Sequence, residues 1–208
     1  MIKSRVMKKK FCLLMLMTLV ALHSYAQSWN IQPKIGLNVA TMTNDDDAKS
    51  RLAFVGGLEF EYFASSDFSF SFGALYSQQG CKGESDGFAG TIKLDYINVP
   101  LIANYYLADG FALKVGIQPG FLINDKVKVS ANSVLVEVGL EESLKASGFD
   151  AKLKSLDLSI PIGLSYTINN IQLDARYNWG MTKIISGPGI DSTKNSVFEF
   201  TIGYKFGL

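Results

Sequence analysis

The 208-residue sequence predicts an all-β fold, an eight-stranded antiparallel up-and-down transmembrane β-barrel. Three observations predict it. Apolar and polar residues alternate with a period of two in segment after segment of residues 29–206, and strand side chains point alternately to two faces. The connections alternate between short and long, as in barrels with short periplasmic turns and long extracellular loops. The polar face is rich in Gly, Ser, Asn and Ala, whereas the apolar face is bulky, too bulky for the narrow interior of eight strands. A soluble lipocalin-like barrel would turn these faces the other way.

The chain opens with a targeting segment. Lys3, Arg5, Lys8, Lys9 and Lys10 precede the apolar run Phe11–Leu22, and Ser24 and Ala26 supply small residues before a cut between Ala26 and Gln27. This is the three-part pattern of a secretory signal peptide; twelve apolar residues are too few for a spanning helix, which needs roughly 20. The expected organisation is a signal peptide at 1–26 and a barrel domain at 27–208.

The first strand sets Trp29, Ile31, Ile35, Leu37 and Val39 against Asn30, Gln32, Lys34 and Asn38. The second sets Leu52, Phe54, Leu58, Phe60 and Tyr62 against Val55, Glu59 and Glu61; the third sets Phe68, Phe70, Phe72 and Tyr76 against serines. The fourth, about Ile92 to Tyr106, is less regular, with Ile97, Val99, Leu101, Ala103 and Tyr105 on one face. The fifth runs from Phe111 to Phe121, with Lys114 and Gln118 opposite the apolar set. The sixth alternates Leu156 to Tyr166 against Asp157, Ser159 and Ser165, and the seventh alternates Ile171 to Trp179 against Asp174, Arg176 and Asn178. The eighth alternates Phe198, Phe200, Ile202, Tyr204 and Phe206 against Glu199, Thr201, Gly203 and Lys205. Short turns are expected at Ser65–Asp67, Ala108–Gly110 and Asn169–Asn170, and long loops at Met42–Arg51, Cys81–Thr91, Asn124–Lys154 and Ile184–Asn195.

Aromatic residues fall near both strand ends, as at two membrane interfaces. Pro33, Pro100, Pro119 and Pro161 lie inside proposed strands, where a missing N–H calls for bulges or local gaps.

The segment Asp95-Tyr96-Ile97-Asn98-Val99-Pro100-Leu101, then Gly116-Ile117-Gln118-Pro119-Gly120, Ala175-Arg176-Tyr177-Asn178-Trp179-Gly180-Met181 and the closing Ile202-Gly203-Tyr204-Lys205-Phe206 follow one another in a recognisable order. With the Ser24-Tyr25-Ala26-Gln27 junction they resemble the PorT-like small outer-membrane β-barrel family of Bacteroidetes. The resemblance spans essentially the whole chain after residue 26. It implies the barrel fold and a Gram-negative outer-membrane location, without an assigned activity.

Composition narrows the function. Beyond residue 26 the chain holds 15 cations and 19 anions, a net charge of −4, which argues against a nucleic-acid partner. The one histidine, His23, lies in the targeting segment, so Ser-His-Asp and Cys-His chemistry has no histidine in the remainder. No cofactor and no metal site is expected. Asp45-Asp46-Asp47 lacks the spacing of a calcium loop and reads as a solvated tip; Gly187-Pro188-Gly189 reads as a turn. Cys81 reads as a loop bystander, and 133–144 as a short helix in the longest loop, which could serve as plug, lid or partner site.

The expected site is therefore structural. Lys34, Glu59, Glu61, Lys114, Asp174, Arg176, Glu199 and Lys205 share the inward face and should form an ion network with Arg176 at its hub. Gly203, Tyr204 and Phe206 in the last strand should act as the assembly signal. The expected role is non-enzymatic, structural or adhesive through the long loops. The alternatives are a narrow channel or secretion component, a lipid-modifying enzyme, and a soluble lipocalin-like binder. Expected partners are outer-membrane lipid, the barrel-assembly machinery and an extracellular or envelope protein met by the long loops; the barrel should be a monomer.

Overall fold

The computed structural model describes residues 29–43, 48–85, 88–131, 134–140, 142, 152–186 and 193–208. The targeting segment, the Asp45-Asp46-Asp47 tip and Gly187-Pro188-Gly189 lie outside them. The strands are β1 Trp29–Met42, β2 Ala48–Phe63, β3 Phe68–Ser85, β4 Phe88–Asn98, β5 Leu101–Ala108, β6 Phe111–Ala131, β7 Val134–Val138, β8 Lys152–Leu153, β9 Leu156–Ile168, β10 Ile171–Gly180, β11 Ile185–Ser186, β12 Asn195–Tyr204 and β13 Phe206–Gly207.

Eight staves close into a ring. β1, β2 and β3 pair in sequence; β4 and β5 together form the fourth stave between β3 and β6; β9, β10 and β12 follow, and β12 pairs back to β1. All these pairings are antiparallel. The short turns match the sequence. Gly110 and Asn169 adopt positive φ (77° and 54°), and the Thr167 N–H donates to the Gly110 carbonyl at 2.8 Å. A side chain on Gly110 would meet that residue's backbone oxygen.

The two faces separate as alternation requires. Ile35 is 61% exposed and Phe200 50%, while Lys34 is 1% exposed and Glu199 fully buried. An apolar exterior around a polar interior is stable only where the outside solvent is hydrocarbon. Tilted ring pairs Trp29–Tyr62 (4.9 Å) and Tyr204–Phe206 (4.5 Å) lie at the short-turn end, and Tyr177–Phe198 (4.7 Å) lies toward the other.

Bulges do not mark the prolines. Register shifts fall at Ser50/Val55, Asp95/Tyr96 and Tyr106/Ala108. At Pro100 the fourth stave breaks between β4 and β5 with the register unchanged on both sides, and the Val99 N–H donates to the Pro119 carbonyl at 2.8 Å. Pro33 keeps its pairing with β2 and lies where β12 gives way to β13. Pro161 pairs with Asn178 on one side and interrupts the ladder to β6 on the other. A proline removes one donor without adding a residue, so it costs a bridge and leaves register intact.

The long-loop end is more ordered than the alternation implied. β3 and β4 continue as a hairpin to Ser85 and Phe88, β2 starts at Ala48, and β6 extends to Ala131. Val134–Val138, within the expected helix, is a strand paired with β6; its alternating valines favour extended backbone. Cys81 is no loop residue. It sits in β3, 3% exposed, in an apolar cluster with Met42, Leu94, Tyr96, Leu140 and Ile184. Above the membrane the outer face meets water, so outward positions become polar and the apolar residues move inside. In β3 the faces keep their parity while their chemistry inverts; in β6 the register shift opposite Asp95/Tyr96 also moves the outward positions from odd to even residues.

Candidate functional site, the charged lumen

Period two places the candidate charges inside, and register decides which of them meet. β10 carries Asp174 and Arg176 two residues apart on the inward face. β1 contributes Lys34, β2 Glu59, β6 Lys114 and β12 Glu199. Arg176 Nε donates to Asp174 Oδ1 at 2.7 Å, and its Nη2 donates to Glu59 Oε1 at 2.6 Å. Glu199 Oε1 lies 3.9 Å from Arg176 Nε. Lys34 Nζ reaches Glu59 Oε2 at 2.6 Å and Asp174 Oδ2 at 3.2 Å, and Lys114 Nζ closes on the same Asp174 oxygen. Three cations thus interlock with three carboxylates drawn from five strands, and the cluster is formally neutral.

Glu61 and Lys205 form a separate group at the short-turn end. They pair at 2.7 Å, and Ser69 and Tyr106 donate to Glu61 Oε1 at 2.6 and 2.5 Å. Lys205 Nζ also lies 3.0 Å from the Tyr106 hydroxyl and near the Phe63 and Tyr106 rings. The eight candidates therefore occupy the lumen at two levels.

Glycines make room for the long side chains. Lys34 faces Gly57 on one neighbour and Gly203 on the other; Glu59 faces Gly73; Gly163 faces both Lys114 and Arg176. A Cβ at Gly163 would lie 3.0 Å from Arg176 Cγ and 2.9 Å from its Cα, and one at Gly203 would lie 2.9 Å from Lys34 Cγ. Strand neighbours sit only about 5 Å apart, so a charged stem lying across the lumen needs an empty position beside it. Such pairings depend on register, which alternation does not reveal.

Other lumen groups were absent from the candidate set. Gln32 and Gln172 bond at 3.0 Å, and Lys114 Nζ lies 3.3 Å from Gln172 Oε1. Arg51, placed in a loop by its neighbours, is 7% exposed and donates to the Gln79 carbonyl. Asn195 donates to Asp157 at 2.8 Å and to the Tyr96 hydroxyl at 3.3 Å, just below the apolar cluster. Extending the parity of β2 back to residue 51 would have found Arg51; alternation already turned Gln32, Gln172 and Asp157 inward, and only their partners needed the fold. Chemically, the lumen neutralises and immobilises its charges. Arg176 Nη1, Asn178 Oδ1 and Glu199 Oε1 are buried without a hydrogen-bond partner among the described residues.

A family model for the outer membrane protein beta-barrel domain matches residues 25–186. The chain belongs to that family. It is an integral protein of the outer membrane. Ail, the attachment invasion locus protein of Yersinia pestis, in its complex with the heparin analogue sucrose octasulfate, is 16% identical with a TM-score of 0.51; the match covers 86% of this chain and 99% of that one. A second structure of Ail gives 17% identity and a TM-score of 0.49, covering 86% and 99%. Neisserial surface protein A gives 15% and 0.49, covering 86% and 97%. At 16% identity the first of these bears on fold alone. No curated protein matches the sequence.

Proposed function

We propose that the protein is a non-enzymatic, closed outer-membrane barrel of the PorT-like group that acts through its long-loop end, as an envelope-stabilising or interaction protein. The observation that carries this is the interlocked neutral cluster of Lys34, Glu59, Lys114, Asp174, Arg176 and Glu199 across the lumen. A conducting path would have to separate paired charges, and an unpaired buried charge costs several kcal/mol. The apolar cluster around Leu94 and Tyr96 adds a second obstruction nearer the long loops. With the path obstructed twice, partners meet the loops and the rim. The barrel is read as a monomer.

The proposal extends to biogenesis. Cleavage after Ala26 would deliver the chain to the barrel-assembly machinery, with the strand containing Gly203, Tyr204 and Phe206 as the assembly signal. Tyr204 and Phe206 face outward, and this segment pairs with β1 to close the ring. Planar-bilayer recording of the purified folded protein tests the closed lumen. The expected result is no steady conductance; a steady nanosiemens-scale conductance replaces this reading with a channel.

A further inference from the structure

The sheet that continues above the apolar band carries a patch of lysines on its outward face. The pairings Lys49↔Lys82, Lys82↔Thr91, Lys93↔Lys126, Thr91↔Lys128 and Lys128↔Glu137 put these residues on one face, since directly opposed residues share a face and so do residues two apart. The other face of the same strands holds Cys81, Ile92, Leu94 and Val127 against the apolar cluster.

Two of these pairings, Lys49↔Lys82 and Lys93↔Lys126, set like charges directly opposite, an arrangement that destabilises a sheet. Glu137 lies 3.5 Å from Lys126 and 3.4 Å from Lys128, one carboxylate between two ammonium groups. Asp95, two residues beyond Lys93, is buried and held by Asn124 at 2.9 Å. The approach of Lys128 to Lys93 holds the Lys93 ammonium below the ordinary lysine range. Among the described residues, Lys82, Lys93, Lys126 and Lys128 share this face with one carboxylate, Glu137, so the patch carries an excess of cation.

Its height identifies the anion. Phe54, Phe121 and Ile123 are exposed on the lipid side of the same strands. Lys93 pairs with Gly80, four residues beyond Tyr76 along β3. At ~3.4 Å rise per residue and a strand tilt of ~40°, this places the Lys93 backbone roughly 10 Å above Tyr76, the last aromatic of β3, at headgroup level. The long-loop end of an outer-membrane barrel faces outward, so the neighbouring headgroups are those of the outer leaflet, whose glycolipid carries phosphate on its sugars.

We propose that Lys82, Lys93, Lys126 and Lys128 form a docking surface for the phosphorylated headgroup of an outer-leaflet glycolipid, with its acyl chains against the apolar exterior below. A lysine near a membrane surface attracts anionic lipid, and several in a cluster act together. The proposal rests on the orientation of the barrel and is independent of whether the lumen conducts.

The test uses the folded protein in zwitterionic micelles. It is titrated with lipid A carrying its phosphates, with the same lipid A after dephosphorylation, and with inorganic phosphate and heparin. The expected result is binding of phosphorylated lipid A at least about tenfold tighter than the dephosphorylated form, with inorganic phosphate a weak competitor. The combined K82Q, K93Q, K126Q and K128Q protein should lose about tenfold, and the matching arginine set should keep the affinity. A smaller K93Q/K126Q pair, with heat-modifiable mobility as the check on folding, keeps the test decisive if the larger set folds poorly. Equal affinity for the two forms of lipid A, or unchanged affinity in the folded glutamine variants, overturns the proposal. Heparin binding tighter than lipid A overturns it too, in favour of a soluble polyanion.

Discussion

The membrane-embedded part of the barrel and its extension above the membrane use the same strands with opposite chemistry. In the lower part of β3 and β6 the outward residues are Phe70, Phe72, Leu113 and Val115, and the inward ones Ser69, Ser71, Lys114 and Gln118. Higher up the outward residues are Lys82, Lys126 and Lys128, and the inward ones Cys81 and Val127. The exterior solvent makes the difference. Hydrocarbon outside sends charge inward to be paired; water outside sends apolar surface inward to be buried. One ladder serves both because its backbone bonds do not depend on side-chain polarity.

That comparison can be broken at either level. The largest effect is expected from Arg176→Met, which strips the hub from Glu59 and Asp174. Removing one partner of a buried ionic cluster costs about 3–5 kcal/mol, measured as a fall in urea midpoint in micelles. Arg176→Met combined with Asp174→Asn restores neutrality and should recover part of that loss; no recovery would mean that the arginine acts through packing alone. Next comes Ile162→Arg, mid-strand on the lipid face, at about 2–4 kcal/mol. The same charge at inward-facing Ser159 should follow different rules, and equal costs at the two sites would contradict the assignment of faces.

In the upper region, Leu94→Ala should cost about 2–3 kcal/mol by leaving a cavity in the apolar cluster. Tryptophan fluorescence melts should show it without a change in membrane partitioning. The smallest effect belongs to Lys93→Ile. Moving an apolar residue to this wet outward position should shift stability by no more than about 0.5 kcal/mol, toward stabilisation because a like-charge pair disappears. A clear loss would show that Lys93 holds a structural contact.

The barrel was legible because hydrocarbon imposes a strict pattern. A single inward Glu59 between outward Leu58 and Phe60 is informative when the alternative is charge in lipid. The inward position of Arg176 was legible for the same reason, as was its neighbour Asp174 on the same strand. Its contact with Glu59 was not, since it depends on register around the ring, nor was the separation of Glu61 toward Lys205. The extension was misread as loops because water tolerates any outward residue there, so the alternation that marks a strand fades. Cys81 and the strand Val134–Val138 were missed for that reason.

The central cluster also dictates an order of events. Lys34 on β1 and Asp174 on β10 are 140 residues apart, and Glu199 lies on β12, the strand that closes the ring. Lys34, Asp174 and Arg176 lack part of their partners until closure, because the Lys34–Asp174 and Arg176–Glu59 contacts join β1 and β2 to β10 across the seam. A half-built barrel must therefore insert its apolar exterior while its interior is still hydrated, and shed that water last. Contacts this distant in sequence form slowly, and any opening of the seam must rehydrate the cluster before strands can part. The ionic interior thus works as a latch on the closing seam, setting how long the finished barrel persists more than how quickly it is made.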